Sequence, residues 1–454
     1  MNKSVIFHIF VQYNLEIWKI FHIFAARNRI YTTSPIHCTM VIQREVYLQE
    51  LIKRKHNGLI KVITGIRRCG KSFLLFNLFT EHLHEQGVSD SHIVKVDLEN
   101  RHNSSLRNPD ELMAYIDSRL TDDGMHYVLL DEVQLVDEFE DVLNSYLKVP
   151  NADVYVTGSN SKFLSKDVLT EFRGRGDEVK IAPLSFSEYF SVANTSQEQA
   201  LRDYIIYGGL PVVALTPEAG LKRKYLKDLF STVYFRDIRE RYHIRQEKEM
   251  EEIISILASS IGGLINPTKL QNTFKSVKNT DISKNTIISY LDILQDVFMV
   301  EKAVRYDIKG KKYIDTPSKY YFEDLGLRNA SLNFRQVEET HLMENLIYDE
   351  LRRRGYFVDV GEVVIMEPSG AGKKTRKQLE VDFVCNRGYD RVYIQSAFSL
   401  PTAEKREQEF RPLKLIDDSF QKVVVVGGAQ PTYRNDDGIL VLNIYDFLLH
   451  GAAI

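Results

Sequence analysis

Cysteine is scarce: the chain has 3 in 454 residues, at Cys38, Cys69 and Cys385, with no Cys-x-x-Cys pair and no histidine cluster at ligand spacing. That excludes a disulfide framework, offers no zinc site to a reader of the sequence, and fits a reducing, cytoplasmic setting. An excess of one charge is lacking too. With 59 Lys and Arg against 62 Asp and Glu the net charge is −3, so the molecule is no polycation and any nucleic-acid contact must come from a local patch. Long uninterrupted apolar runs are also missing. Val5 to Ala25 is rich in Phe and Ile but is broken by His8, Gln12, Asn14, Glu16, Lys19 and His22. It reads as neither a membrane span nor a secretory signal, so no membrane partner is expected. Internal repeats and low-complexity tracts are absent. What is present, 44% hydrophobic residues over this length, supports about two to four domains with their own cores.

The first 39 residues stand apart. Val11, Leu15, Trp18 and Phe21 would share one side of an amphipathic helix, but Met40-Val41-Ile42-Gln43-Arg44-Glu45 reads as a natural start. Residues 1–39 are therefore expected to be a doubtful N-terminal extension.

The chain is organised around Gly65-Ile66-Arg67-Arg68-Cys69-Gly70-Lys71-Ser72, which follows the apolar run Leu59 to Ile63 and opens a helix from Ser72 to Leu83. Two glycines at this spacing let successive backbone N–H groups turn inward onto phosphate oxygens, at the positive end of the following helix. Gly65, Arg67, Arg68, Gly70, Lys71, Ser72 and Phe73 are the expected nucleotide contacts. Lys71 would reach the β- and γ-phosphates of ATP, and the Ser72 hydroxyl would take one position on Mg2+.

A second signal lies downstream. Tyr127-Val128-Leu129-Leu130-Asp131-Glu132 reads as a buried parallel strand presenting two acids at its C-terminal end. Asp131 is placed to hold the metal through water, and Glu132 to polarise the water that attacks the γ-phosphate. A further strand, Asp153 to Thr157, runs into Gly158-Ser159-Asn160-Ser161, where Ser159 or Asn160 would sense the γ-phosphate. Beyond it, Arg173 or Arg175 in Phe172-Arg173-Gly174-Arg175-Gly176 would act as a finger, in its own site or a neighbour's. A finger acting in trans requires a homo-oligomer. Strands alternating with helices from Val46 to Thr157 imply a parallel α/β sheet with its ligand at the C-terminal strand ends.

These motifs, with Pro183-Leu184-Ser185-Phe186-Ser187-Glu188-Tyr189 after them, resemble the archaeal-type branch of AAA+ ATPases, and the downstream chain resembles the uncharacterised C-terminal region often fused to them. The resemblance implies a P-loop ATPase core at 40–182 and a helical lid and connector at 183–245, hinged at Tyr207-Gly208-Gly209-Leu210-Pro211. The alternating charges from Tyr234 to Tyr242 read as a solvated helix face.

Residues 246–325 have the order of a winged helix: helices Glu247 to Ile261, Pro267 to Ser276 and Ser283 to Val297, strand Phe298 to Tyr306, and a basic turn at Lys309-Gly310-Lys311-Lys312. Asp292 and Asp296 sit on the third helix beside Lys284, so the turn is the better phosphate contact, and DNA and a protein partner both stay open. Residues 326–454 resemble the restriction-endonuclease-like fold. Glu344 and Asp382 match two of its acids, but Gln395-Ser396-Ala397 stands where Glu-x-Lys belongs. A scaffold that binds a partner or nucleic-acid backbone is therefore favoured over a nuclease. Gly370-Ala371-Gly372-Lys373-Lys374-Thr375 imitates a phosphate loop but reads as a hairpin tip.

Overall fold

Five strands build the first layer: β1 (Ile60–Thr64), β2 (Ile93–Asp97), β3 (His126–Asp131), β4 (Ala152–Thr157) and β5 (Gly176–Lys180). All run parallel, in the order β2-β3-β4-β1-β5. Their continuous apolar runs reflect burial on both faces, as helices on either side of a parallel sheet require. β1, β3 and β4 are the central strands, and Val62, Val128, Leu130 and Val156 meet in one core cluster. Lys61 lies wholly inside β1; Asp153 pairs with its ammonium and Tyr155 lies beneath it, which is what makes a buried charge tolerable there. The computed structural model describes residues 41–158, 175–235, 238–239, 242–277, 280–369 and 373–450. Residues 1–39, Ser159, Asn160 and Arg173 lie outside them, as does the tip Gly370 to Gly372.

After the first sheet come helices Phe186–Val192, Gln197–Tyr207, Pro211–Leu215 and Ala219–Asp228. Ser185 and Glu188 close a capping box at the first of these, and Gly208-Gly209 ends the second. Helices Glu247–Ser259, Pro267–Val277 and Lys284–Asp296 follow in the expected order.

The expected boundary at 325/326 runs through continuous structure. β6 (Val300–Asp307) pairs antiparallel with β7 (Lys312–Phe322), and β6 also pairs in parallel with β8 (Phe357–Ser369). The hairpin is thus the edge of an eight-stranded sheet continuing through β9 (Lys373–Arg387), β10 (Asp390–Ala397), β11 (Gln421–Val426), β13 (Leu440–Asn443) and β12 (Tyr433–Arg434). β9 is antiparallel to both neighbours, while β10, β11 and β13 are mutually parallel around helix Ala403–Lys414. β7 is hard to read from sequence because Pro317 interrupts it.

Helix Leu325–Ser331 sits on the same boundary and is the joint of the molecule. Arg328 and Asn329 in it are completely buried. Arg328 donates to the Ala258 and Gln336 carbonyls at 2.7 and 2.6 Å, and the Asn329 amide donates to the Ile205 and Ile206 carbonyls at 2.9 Å each. A Cβ on Gly326 would come within 2.0 Å of the Tyr207 carbonyl oxygen, so only glycine lets the two helices approach this closely. Asp324 caps the helix, accepting from Leu327 N–H at 2.9 Å and from Gly209 N–H at 2.8 Å.

Burial pushes the Asp324 carboxyl up to about 6, against the opposing pull of these N–H groups and Arg353. The unfolded chain releases this proton near pH 4, so between about pH 4 and 6 it binds fewer protons than the native state. The group's contribution to stability therefore falls as pH rises through that window. Urea midpoints from pH 4 to 7 should show a decline in the wild type that is shallower in Asp324→Asn, by on the order of 2 kcal/mol across the window. Parallel curves would contradict this assignment.

Candidate nucleotide site

β1 delivers the chain into a loop that bends sharply at two glycines, Gly65 at φ 139° and Gly70 at φ 103°. A Cβ on Gly65 would lie 2.1 Å from the Ile181 carbonyl oxygen, so this position is closed to any other residue. Arg68 itself takes φ 68°, a left-handed conformation that costs a non-glycine residue on the order of 1 kcal/mol. Such turns aim consecutive N–H groups into one concavity. Lys71 is buried at the head of the following helix, its Nζ donating to the Gly65 carbonyl at 2.9 Å and to the Ile66 carbonyl at 3.3 Å. The ammonium is thereby held inside the loop. Ser72 and Phe73 are exposed at the helix start, and Arg67 pairs with Glu99 at 3.1 Å. The helix runs on through a π turn, Leu74–Phe79, whose apolar side chains anchor it in the core.

A single arginine clamps the loop from behind. Arg44 donates to the Cys69 carbonyl at 2.9 Å and to the Ala182 carbonyl at 2.6 Å, and its Nε lies 3.1 Å from Glu188. Cys69 is fully buried with its thiol pushed up by burial, so it packs and does not react.

The parallel register then sets two more strand ends beside Lys71. Asp131, the last residue of β3, accepts from the Thr157 hydroxyl at 2.5 Å and from the Ser72 hydroxyl. Burial raises its pKa, against the lowering effect of the two donating hydroxyls. Thr157, the last residue of β4, also accepts from Glu132 N–H at 2.9 Å. Glu132 sits at φ 53°, and Gln134 donates to its carboxylate. Lys71, Ser72, Asp131 and Glu132 are thus gathered on one edge. Thr157 was not among the expected residues; the signal was a polar residue closing an apolar strand, two positions before Ser159.

Arg175 is placed elsewhere. Its carbonyl accepts from Ile60 N–H at the start of β1, so it lies at the opposite edge of the sheet from Lys71, about 16 Å away along five residues of strand. Its own chain's loop is out of reach, and the expectation that it could finish its own site is corrected accordingly.

The support of the loop also leads into the second sheet. Lys180, register partner of Thr64, pairs with Glu301 of β6 and with Glu323 just after β7. Desolvation pulls the Lys180 pKa down, but the two carboxylates outweigh it and raise it overall.

A family model described as an AAA domain matches residues 57–190, which hold the five-stranded sheet up to β5 and the loop, and one described as a domain of unknown function (DUF8612) matches residues 198–338. The chain is 33% identical over 415 residues to an uncharacterised protein of Haemophilus influenzae, covering 90% of this chain and 99% of that one. It is 30% identical over 417 residues to the uncharacterised protein MJ1544 of Methanocaldococcus jannaschii, covering 85% and 87%. The chain belongs to the family of these two proteins. Among solved structures, the Walker-type ATPase PABY2304 of Pyrococcus abyssi is similar over 64% of this chain and 96% of that one, at 16% identity and a TM-score of 0.47. Among the described residues, no helix is long and apolar enough to cross a membrane.

Thr157→Val would leave the Asp131 carboxylate and the Glu132 N–H without their shared hydroxyl. Urea denaturation should show a loss of about 1–3 kcal/mol, with Thr157→Ser close to wild type. Equal stability of all three proteins would mean that this hydroxyl does not organise the edge.

Proposed function

We propose that this protein binds ATP with Mg2+ and hydrolyses it, and that its nucleotide state is transmitted to a C-terminal half that engages DNA or a protein partner. The observation that carries the reading is the convergence of Lys71, Ser72, Asp131 and Glu132 on the C-terminal edge of one parallel sheet. Ser72 and Asp131 share a hydrogen bond, so their oxygens lie side by side, a donor set suited to a hard cation that keeps most of its waters. Bound there, Mg2+ would neutralise charge on the β- and γ-phosphates. The loop N–H groups from Arg67 to Ser72 would hold the phosphates, Lys71 would bridge them, and Glu132 would orient the attacking water. Ser159 or Asn160 would sense the γ-phosphate. Arg173 or Arg175 would complete a neighbouring subunit's site, which fits the exposed place of Arg175 on the far edge and implies a homo-oligomer.

Transmission has a physical basis in Lys180. A shift of the loop moves Thr64 and its register partner, and with it the ion pairs to Glu301 and Glu323. The exposed lysines Lys309, Lys311 and Lys312 in the β6–β7 turn are the phosphate-contact candidates.

The C-terminal acids favour a scaffold over a nuclease. Glu344 and Asp382 are buried, and Lys319 from β7 is buried with them, its Nζ 2.9 Å from Glu344 and 2.7 Å from Glu380. An internal ammonium thus neutralises the acids that would otherwise attract a metal. Gln395 accepts from Asp382 N–H at 3.3 Å and donates to Glu409 at 3.2 Å, so its amide is engaged in the scaffold.

Fluorescence titration with an ATP analogue should show affinity at least tenfold weaker in Lys71→Ala; equal affinity would contradict the site. Hydrolysis should also be followed with single- and double-stranded DNA. A rise that is lost in Lys309→Glu/Lys311→Glu assigns the C-terminal half to nucleic acid, whereas indifference to DNA assigns it to a protein partner.

A further inference from the structure

The far edge of the AAA sheet carries a second constellation. His92 immediately precedes β2 and His126 opens β3; the pairing of Ile93 with Tyr127 sets these two residues side by side. Their rings are 4.6 Å apart between centroids. Asp122, from the loop before β3, places Oδ1 3.1 Å from His92 Nε2. One ligand atom each from His92, Asp122 and His126 all lie within 4.8 Å of one another.

Groups behind the two rings aim these atoms inward. His126 Nδ1 lies 2.8 Å from the Gly124 carbonyl, an acceptor only, so this nitrogen carries the proton and Nε2 keeps its lone pair. His126 is completely buried, and that Nε2 has no hydrogen-bond partner. On the other ring, His92 Nδ1 contacts the Ser89 hydroxyl at 2.8 Å, which turns Nε2 toward the site. Gly124 closes the floor: a Cβ there would lie 2.8 Å from both Asp122 Oδ1 and His92 Nε2. A salt bridge between His92 and Asp122 accounts for two of the three groups and leaves a buried imidazole nitrogen unsatisfied, which is costly. A cation that accepts all three accounts for the whole arrangement, with both histidines held from behind as metal-ligating histidines are.

We propose that His92, Asp122 and His126 form a binding site for a divalent transition-metal ion of the zinc class. Two imidazole nitrogens exclude Mg2+ and Ca2+, which take oxygen, and suit Zn2+ or Co2+. Three protein ligands leave a fourth tetrahedral position to water, on the side where Asp122 is open to solvent. Because β3 separates this edge from the phosphate loop, the ion would pin the starts of β2 and β3 together without entering the nucleotide site. The sequence conceals the site because His92 is far along the chain from Asp122 and His126, and the parallel register is what brings it to them.

The test uses the full chain freed of any polyhistidine tag and of bound metal. Titration with Zn2+ should show one equivalent bound, Co2+ should give the visible absorption of a tetrahedral site, and Zn2+ should raise the melting temperature. Asp122→Asn, on an exposed loop, and His92→Gln should each weaken Zn2+ at least tenfold and abolish the thermal shift while binding ATP as the wild type does. Zn2+ uptake by these variants equal to that of the wild type, or none by the wild type, would overturn the proposal.

Discussion

The carboxylate of Asp131 is the group around which the AAA half is arranged. A buried acid at a strand end is expensive unless it is hydrogen-bonded, and here two neighbouring segments supply the bonds, Thr157 from β4 and Ser72 from the phosphate-loop helix. That requirement fixes the register of three elements relative to one another. Once β3, β4 and the loop helix are in register, Lys71 and Glu132 have no freedom to be elsewhere. The loop itself is braced from outside, by the Ile181 carbonyl against Gly65 and by Arg44 against Cys69. The loop is therefore preorganised by its surroundings, as the proposed phosphoryl transfer would require.

The two halves of the chain are connected by polar contacts in the interior. Helix Leu325–Ser331 spends its buried asparagine on the last carbonyls of helix Gln197–Tyr207 and its buried arginine on the Ala258 and Gln336 carbonyls, and Asp324 holds Gly209. Such interactions are directional and tolerate little displacement. Together with Lys180 between Glu301 and Glu323, they are the contacts through which the proposed nucleotide response would reach the eight-stranded sheet.

Much of the AAA half was legible because its strands carry continuous apolar runs and its chemistry sits at their ends. β1 to β4 fall within a residue or two of their expected limits, and the loop, Asp131 and Glu132 occupy the expected edge. β5 was not read, since Gly176-Asp177-Glu178-Val179-Lys180 is an edge strand with little apolar signal. The C-terminal half was less legible. β7 contains Pro317, and helix Leu325–Ser331 buries an arginine and an asparagine, so its polar residues look like surface. Lys319 and the pair His92 and His126 escaped for a common reason: side chains far apart in sequence meet only through sheet register, which no local pattern reports.

The central claim is that this edge hydrolyses ATP, and steady-state hydrolysis by the full chain beside Glu132→Gln tests it most directly. Loss of the base while the acceptor shape is kept should lower turnover at least a hundredfold, about 2.7 kcal/mol in the barrier, with ATP affinity retained. Equal turnover in the two proteins would contradict the account.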